Sequence, residues 1–192
     1  TDNTTISVFW EGGENGRYSY TYSGDFGDDS QRLMYIPNDA SELNFEEFTL
    51  GGNTLTEQAQ VNALNAYIAQ DEYLRENRGQ VAERNGAKNP WLNRYDLRIT
   101  EDINLTRDKK NKIQLSMDFL NVGNMFNSDW GVPQFELQRN LLNYRGINAA
   151  GEPVYRLNSV SGTSELPTES FRPSSSIGET WRLQVGIRYL FN

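Results

Sequence analysis

The stretch Glu179-Thr180-Trp181-Arg182-Leu183-Gln184-Val185-Gly186-Ile187-Arg188-Tyr189-Leu190-Phe191-Asn192 decides the fold, because its apolar residues fall at every second position. Trp181, Leu183, Val185, Ile187, Tyr189 and Phe191 lie on one side, and Arg182, Gln184, Gly186, Arg188 and Leu190 on the other. Successive side chains of an extended chain point to opposite faces, so a period of two reads as a β-strand. A tilted strand of about 11 residues is long enough to cross a bilayer. Aromatic residues at both ends fit the two interfacial girdles of a transmembrane barrel. A half-buried strand of a soluble sandwich has the same alternation. This stretch alone leaves the two readings even.

The preceding strand patterns tip the balance. Trp91, Tyr95, Leu97, Ile99, Ile103 and Leu105 share one parity, interrupted by Asn93 and Glu101, while Arg94, Asp96, Arg98, Thr100, Asp102 and Asn104 fill the other. After the charged turn Thr106–Asn111, Ile113, Leu115, Met117 and Phe119 alternate with Gln114, Ser116 and Asp118. Bulk water does not require alternating Arg and Asp on the polar face. In a barrel that face meets a wet lumen, where such ladders can pair across strands, and this is the preferred reading. Ile6, Val8 and Trp10 begin the same pattern near the front, and Tyr18, Tyr20 and Tyr22 continue its parity beyond Gly12-Gly13-Glu14-Asn15-Gly16. One long strand kinked at the glycines is the preferred reading, two short ones the alternative.

Residues 24–90 have a different composition. Between Asp25 and Lys88 stand twelve acidic residues against five basic ones, which accounts for nearly all of the net charge of -8. Thr54-x-x-Glu57 has the form of a capping box, and Val61, Leu64 and Ile68 follow at helical spacing. Asp71 is placed to cap a second short helix that stops at Gly79. A long insert with its own helix reads as a functional loop. The helix pair of 54–79 is suited to gripping a partner, to capping a barrel mouth or simply to packing on its own loop.

The pattern predicts six strands, near 5–23, 91–105, 112–125, 141–149, 153–160 and 179–191. Long loops at 24–90, 126–140 and 161–178 alternate with short turns. Outer-membrane barrels have this asymmetry, with short periplasmic turns and long extracellular loops. Hydrophobic residues make up only 36% of the chain, and no apolar run reaches the length of a transmembrane helix. There are no cysteines and no histidines, so disulfides, thiol chemistry and a Ser-His-Asp triad are excluded. An acidic chain is a poor partner for nucleic acid. No carboxylate pair is marked for acid-base work, so no enzyme activity, catalytic residue or cofactor is expected.

At this point the residues resemble a family. Trp91-x-Asn93-Arg94-Tyr95-Asp96-Leu97-Arg98 is similar to barrel strands of Oar-like TonB-dependent receptors from the outer membranes of Bacteroidetes. So is Leu115-x-Met117-Asp118-Phe119-Leu120-Asn121-Val122-Gly123-Asn124-Met125-x-Asn127-x-Asp129-Trp130-Gly131. Thr5–Trp10, Tyr18-Ser19-Tyr20, Tyr22–Asp25, Leu33–Pro37 and the terminal strand follow the family's order. The resemblance implies the C-terminal segment of a barrel of about 22 strands, with wall and extracellular loops here and the plug elsewhere. It also implies contact with outer-membrane lipid, with the remainder of the barrel and with TonB through the N-terminal part; a surface lipoprotein or other complex partner is a further candidate. A structural or interaction barrel, serving adhesion, protein export or surface-complex assembly, is the alternative. A secreted glycan-binding β-sandwich is the second.

Candidate site residues follow. Trp181, Leu183, Val185, Ile187, Tyr189 and Phe191 are expected to face lipid and to guide assembly. Arg94, Arg98, Arg182 and Arg188 are expected to line the lumen wall with Asp96, Asp102 and Asp118. Asp129 and Trp130 form a loop-mouth candidate, in which Trp130 either stacks a sugar ring or serves the interfacial belt. Asp25, Asp28 and Asp29 are a weak Ca²⁺ candidate, since they offer carboxylates on a flexible loop but lack a known loop's spaced Gly and Glu.

Overall fold

Alternation of apolar and polar residues specifies register as well as strand, since a slip of one residue would send every apolar side chain to the other face. The computed structural model describes residues 3–27, 32–107, 110–161 and 163–191. It is mostly β, and no sheet among the described residues closes on itself. Six strands of five or more residues are labelled in chain order: β1 (Asn3–Glu14), β2 (Trp91–Asn104), β3 (Lys112–Leu120), β4 (Leu142–Ile147), β5 (Pro153–Leu157) and β6 (Arg182–Leu190). The chain divides into two compact units.

The first unit comprises Thr1–Asn15, Pro90–Gln134 and Pro173–Asn192. Its centre is an antiparallel sheet in the order β1-β2-β3-β6. Register aligns the apolar residues in rows that run across all four strands. One row is Ile6, Ile99, Met117 and Val185; the next is Val8, Leu97, Phe119 and Leu183. The opposite face carries Ser7, Arg98, Asp118 and Gln184 in one row and Asn3, Asp102, Gln114 and Arg188 in another. β1 and β6 are the edges, and neither has a second neighbour among the described residues.

This arrangement corrects two expectations. β4 and β5 form a hairpin, but not in this sheet: β3 pairs directly with β6. This sheet therefore has four strands, not the expected six, and 121–181 is a single long excursion that contains the hairpin. Alternation of loop length survives, as a long connection, the short turn between β2 and β3, and a long connection again. Both long excursions leave and re-enter at the same end of the sheet. The second correction concerns the front strand. It is not one kinked element: β1 ends at Glu14, and Gly16 turns the chain at a φ of +93° that favours glycine.

The second unit comprises Gly16–Asn89 and Phe135–Arg172. Tyr18, Tyr20 and Tyr22 belong to its core, buried with Met34, Ile36 and Leu64 among others. Their hydroxyls explain why they turn inward, since each finds a partner there: Tyr18 with Tyr20 at 3.2 Å, Tyr20 with Asp71, and Tyr22 accepting from the Tyr35 amide at 3.1 Å. The β4–β5 hairpin is flanked by short parallel pieces at Ser23–Gly24 and Asn44–Phe45. Tyr155 of the hairpin stacks on Tyr22, and Tyr144 on Phe26 at 4.2 Å between centroids.

Two helices cross this unit. The first, α1 (Glu57–Gln70), begins two residues later than the capping-box pattern implies. Thr56, not Thr54, is its N-cap and accepts from the Ala59 amide at 3.2 Å, while Thr54 sits in the short strand Asn53–Leu55 paired with Phe48–Leu50. Its buried face is Gln60, Val61, Leu64, Tyr67 and Ile68. Gln60 donates to the carbonyls of Glu46 and Leu55 and accepts from the Leu157 amide, which ties helix to hairpin. The second helix, α2 (Glu72–Glu76), is capped by Asp71 as expected but stops before Gly79. No helix among the described residues is long and apolar enough to cross a membrane.

Candidate functional site

Within the first unit, the apolar rows of the sheet leave large side chains exposed among the described residues. Val8 is 69% exposed, Val185 66% and Ile187 76%. The expected lipid-facing residues of β6 and its flanks, Trp181, Leu183, Val185, Ile187, Tyr189 and Phe191, are all exposed together. Water meets a continuous apolar surface reluctantly, at about 25 cal/mol per Å², and contiguous patches of this kind mark interaction surfaces.

The ends of this surface differ from its middle. The chain has four tryptophans, and three of them (Trp10, Trp91 and Trp181) flank the sheet at the end where the long excursions begin and return. Trp130 joins them, lining a cavity of about 410 Å³ with Trp91, Asn93, Tyr95, Asp129 and Gln134. At the other end Tyr189 stacks on Phe191 at 5.7 Å. An indole has an apolar body and one N–H that requires an acceptor. Asn93 supplies it twice, accepting from the Trp10 and the Trp91 indoles at 3.2 Å each. The asparagine that interrupts the apolar parity is thus the polar centre of an aromatic cluster. The cavity combines aromatic walls with amide and carboxylate groups, which suits it to a ring with polar substituents.

Asn121 shapes the same cavity. It adopts a left-handed backbone (φ +52°) directly after β3, is fully buried, and donates from Nδ2 to the carbonyls of Gly131 and Glu179 at 3.1 and 2.7 Å. Its amide donates to Asp96 at 2.7 Å. Gly131, at φ +66°, lies so close that a Cβ there would fall 1.9 Å from Asn121 Oδ1. Sequence reasoning missed Asn93 and Asn121 as organising residues. The only sign of the first was its break in parity.

The polar face of the sheet is held by paired charges. Arg98 lies opposite Asp118 and meets it at 3.3 Å. Arg94 reaches Asp96 at 3.9 Å and Glu179 at 3.6 Å. Asp102 is held by Lys112 at 2.6 Å and by Gln114 at 2.8 Å rather than by an arginine. Arg182 and Arg188 share this face without an ion pair among the described residues. One carboxylate, Glu101, falls on the apolar parity, where the Thr4 hydroxyl opposite donates to it.

Asp25 closes a local turn, accepting from the Gly27 amide at 2.7 Å. Asp28 and Asp29, its partners in the Ca²⁺ candidate, lie outside the described residues. Among the described residues no group of three or more acidic side chains is gathered as a metal site. No family model, curated protein or solved structure matches the chain.

Proposed function

We propose that the chain forms part of the wall and the extracellular loops of a bacterial outer-membrane β-barrel, as the C-terminal segment of an Oar-like TonB-dependent receptor. The observation that carries this reading is the exposed apolar face of the β1-β2-β3-β6 sheet, with its tryptophans gathered at one end. Lipid is the solvent for which such a face is built. Tryptophan and tyrosine concentrate at membrane–water boundaries because their rings are apolar and their N–H or O–H groups are not. Paired charges on the opposite face suit a water-filled lumen. The open edges of β1 and β6 call for further strands, since unpaired backbone groups are not tolerated in hydrocarbon.

In this reading Leu183, Val185 and Ile187 contact acyl chains, and Trp10, Trp91, Trp130 and Trp181 lie at one interface. Arg94, Arg98 and Asp118 stiffen the lumen wall. The second unit, built from the two long excursions, is the extracellular part and takes the ligand or partner. Energised uptake through TonB belongs to a plug outside this segment.

Membrane fractionation with heat-modifiable gel migration tests the barrel. The native polypeptide is expected in the outer-membrane fraction, soluble only with detergent, and to migrate faster unheated than boiled. Recovery in the aqueous phase with no change on boiling would sink the proposal in favour of a soluble sandwich. Ligand uptake that persists without TonB would leave a structural barrel in place of a receptor.

A further inference from the structure

A second cavity, of about 370 Å³, lies wholly within the second unit and has a different chemistry. Three arginines line it, Arg17, Arg84 and Arg139, and no carboxylate does, although the chain carries a net charge of -8.

The walls come from four separated stretches of chain, locked together by hydrogen bonds. The Thr21 amide donates to the Arg139 carbonyl at 3.2 Å. Asn140 donates to the Thr21 hydroxyl at 2.8 Å and to the Tyr22 carbonyl at 3.1 Å. Asn85, in a left-handed conformation, donates its amide to the Ser19 hydroxyl at 2.7 Å. The hydroxyls of Ser19 and Thr21 are both acceptors in these bonds, and each keeps a proton to donate. Glu136 pairs with Arg139 and orients its guanidinium without itself lining the cavity. Arg84 makes no ion pair among the described residues.

We propose that this cavity is a binding site for an anionic group, a carboxylate or a phosphate, carried by a small ligand. The guanidinium fork matches both groups in a bidentate manner, and the hydroxyls of Ser19 and Thr21 supply neutral donors beside it. A volume of about 370 Å³ is at the lower end of the usual range for small-molecule sites. The inference does not depend on the membrane assignment, since every lining residue belongs to the one unit.

Calorimetric titration of the full chain at low ionic strength, with inorganic phosphate and separately with succinate, tests it. At least one probe is expected to bind with a stoichiometry of one, and Arg84→Gln is expected to weaken it by about tenfold or more with an unchanged melting temperature. Arg145→Gln, at an arginine that pairs with Glu46 outside the cavity, should leave binding as it is. Binding of phosphate alone assigns a phosphoryl ligand, of succinate alone a carboxylate ligand, and of both a general anion site. Absence of binding by either up to about 10 mM would overturn the proposal. So would equal affinity in the wild type, Arg84→Gln and Arg139→Gln.

Discussion

Val185→Lys is expected, on the proposed barrel reading, to reduce the level of folded chain in the outer membrane to a small fraction of wild type. Val185 closes the row Ile6, Ile99, Met117 and Val185, near the middle of β6 and far from the aromatic residues at either end. A lysine on the lipid face costs about 2–4 kcal/mol at the bilayer midplane and close to nothing at the interfaces. Proteins are stable by only about 5–15 kcal/mol, so a penalty of this size competes with assembly itself. The control is one residue away. Gln184→Lys places the same ammonium on the other face, opposite Asp118, where it gains a partner. It should assemble normally. Antibody detection at the cell surface and the heat-modifiable fraction on gels measure both variants. Equal levels for Val185→Lys and Gln184→Lys would remove the lipid-facing assignment, whichever family the chain resembles.

That contrast between neighbouring residues shows which part of the fold was legible in the sequence. A period of two over many residues specifies a strand and both of its faces, so β2, β3 and β6 and the sorting of their side chains could be read directly. Pairing partners are a different matter. Leu142 and Tyr144 alternate weakly, and nothing local distinguishes a hairpin in the main sheet from one that packs elsewhere. The structure places β4 and β5 between short pieces at Ser23–Gly24 and Asn44–Phe45, through parallel contacts that no nearby sequence signal announces. Tyr18, Tyr20 and Tyr22 misled for a related reason. Their parity continues that of Trp10, but parity is kept by any extended backbone, and a glycine with positive φ between them redirects the chain. The arginine cavity was invisible, since residues 17, 84 and 139 come together only through tertiary structure. Asn93 did leave a mark, as a polar residue in an apolar series, and such a break is better read as a question about what the residue binds.

The largest loss of stability is expected at Asp71. It is the C-cap of α1 and the N-cap of α2, and is 3% exposed. Three donors from three parts of the second unit converge on its carboxylate: the Leu74 amide at 2.8 Å, the Tyr20 hydroxyl at 2.7 Å and the Ser170 hydroxyl at 2.5 Å. Gln70 in turn donates to Ser170 at 2.9 Å. Asp71→Ala leaves those donors buried without an acceptor, at about 1–3 kcal/mol each, so a loss of about 4 kcal/mol or more is expected. Asp71→Asn keeps the shape and one carbonyl oxygen, and should lose less. Thermal unfolding of the full chain followed by tyrosine fluorescence measures both, and an Asp71→Ala melting point within a degree of wild type would refute the role assigned to the network. The same group of residues predicts an alkaline limit. Burial pushes the Tyr18 and Tyr20 phenols well above their ordinary value of 10.0 and raises that of Tyr67, which keeps Tyr20 a donor to Asp71. A phenol that ionises in the unfolded chain but not in the folded one contributes full stability below pH 10, and that contribution declines as pH rises above it, by about 1.4 kcal/mol per pH unit for each such phenol. Melting temperature should therefore fall steeply above pH 10, and Tyr20→Phe should flatten that fall while losing the bond to Asp71.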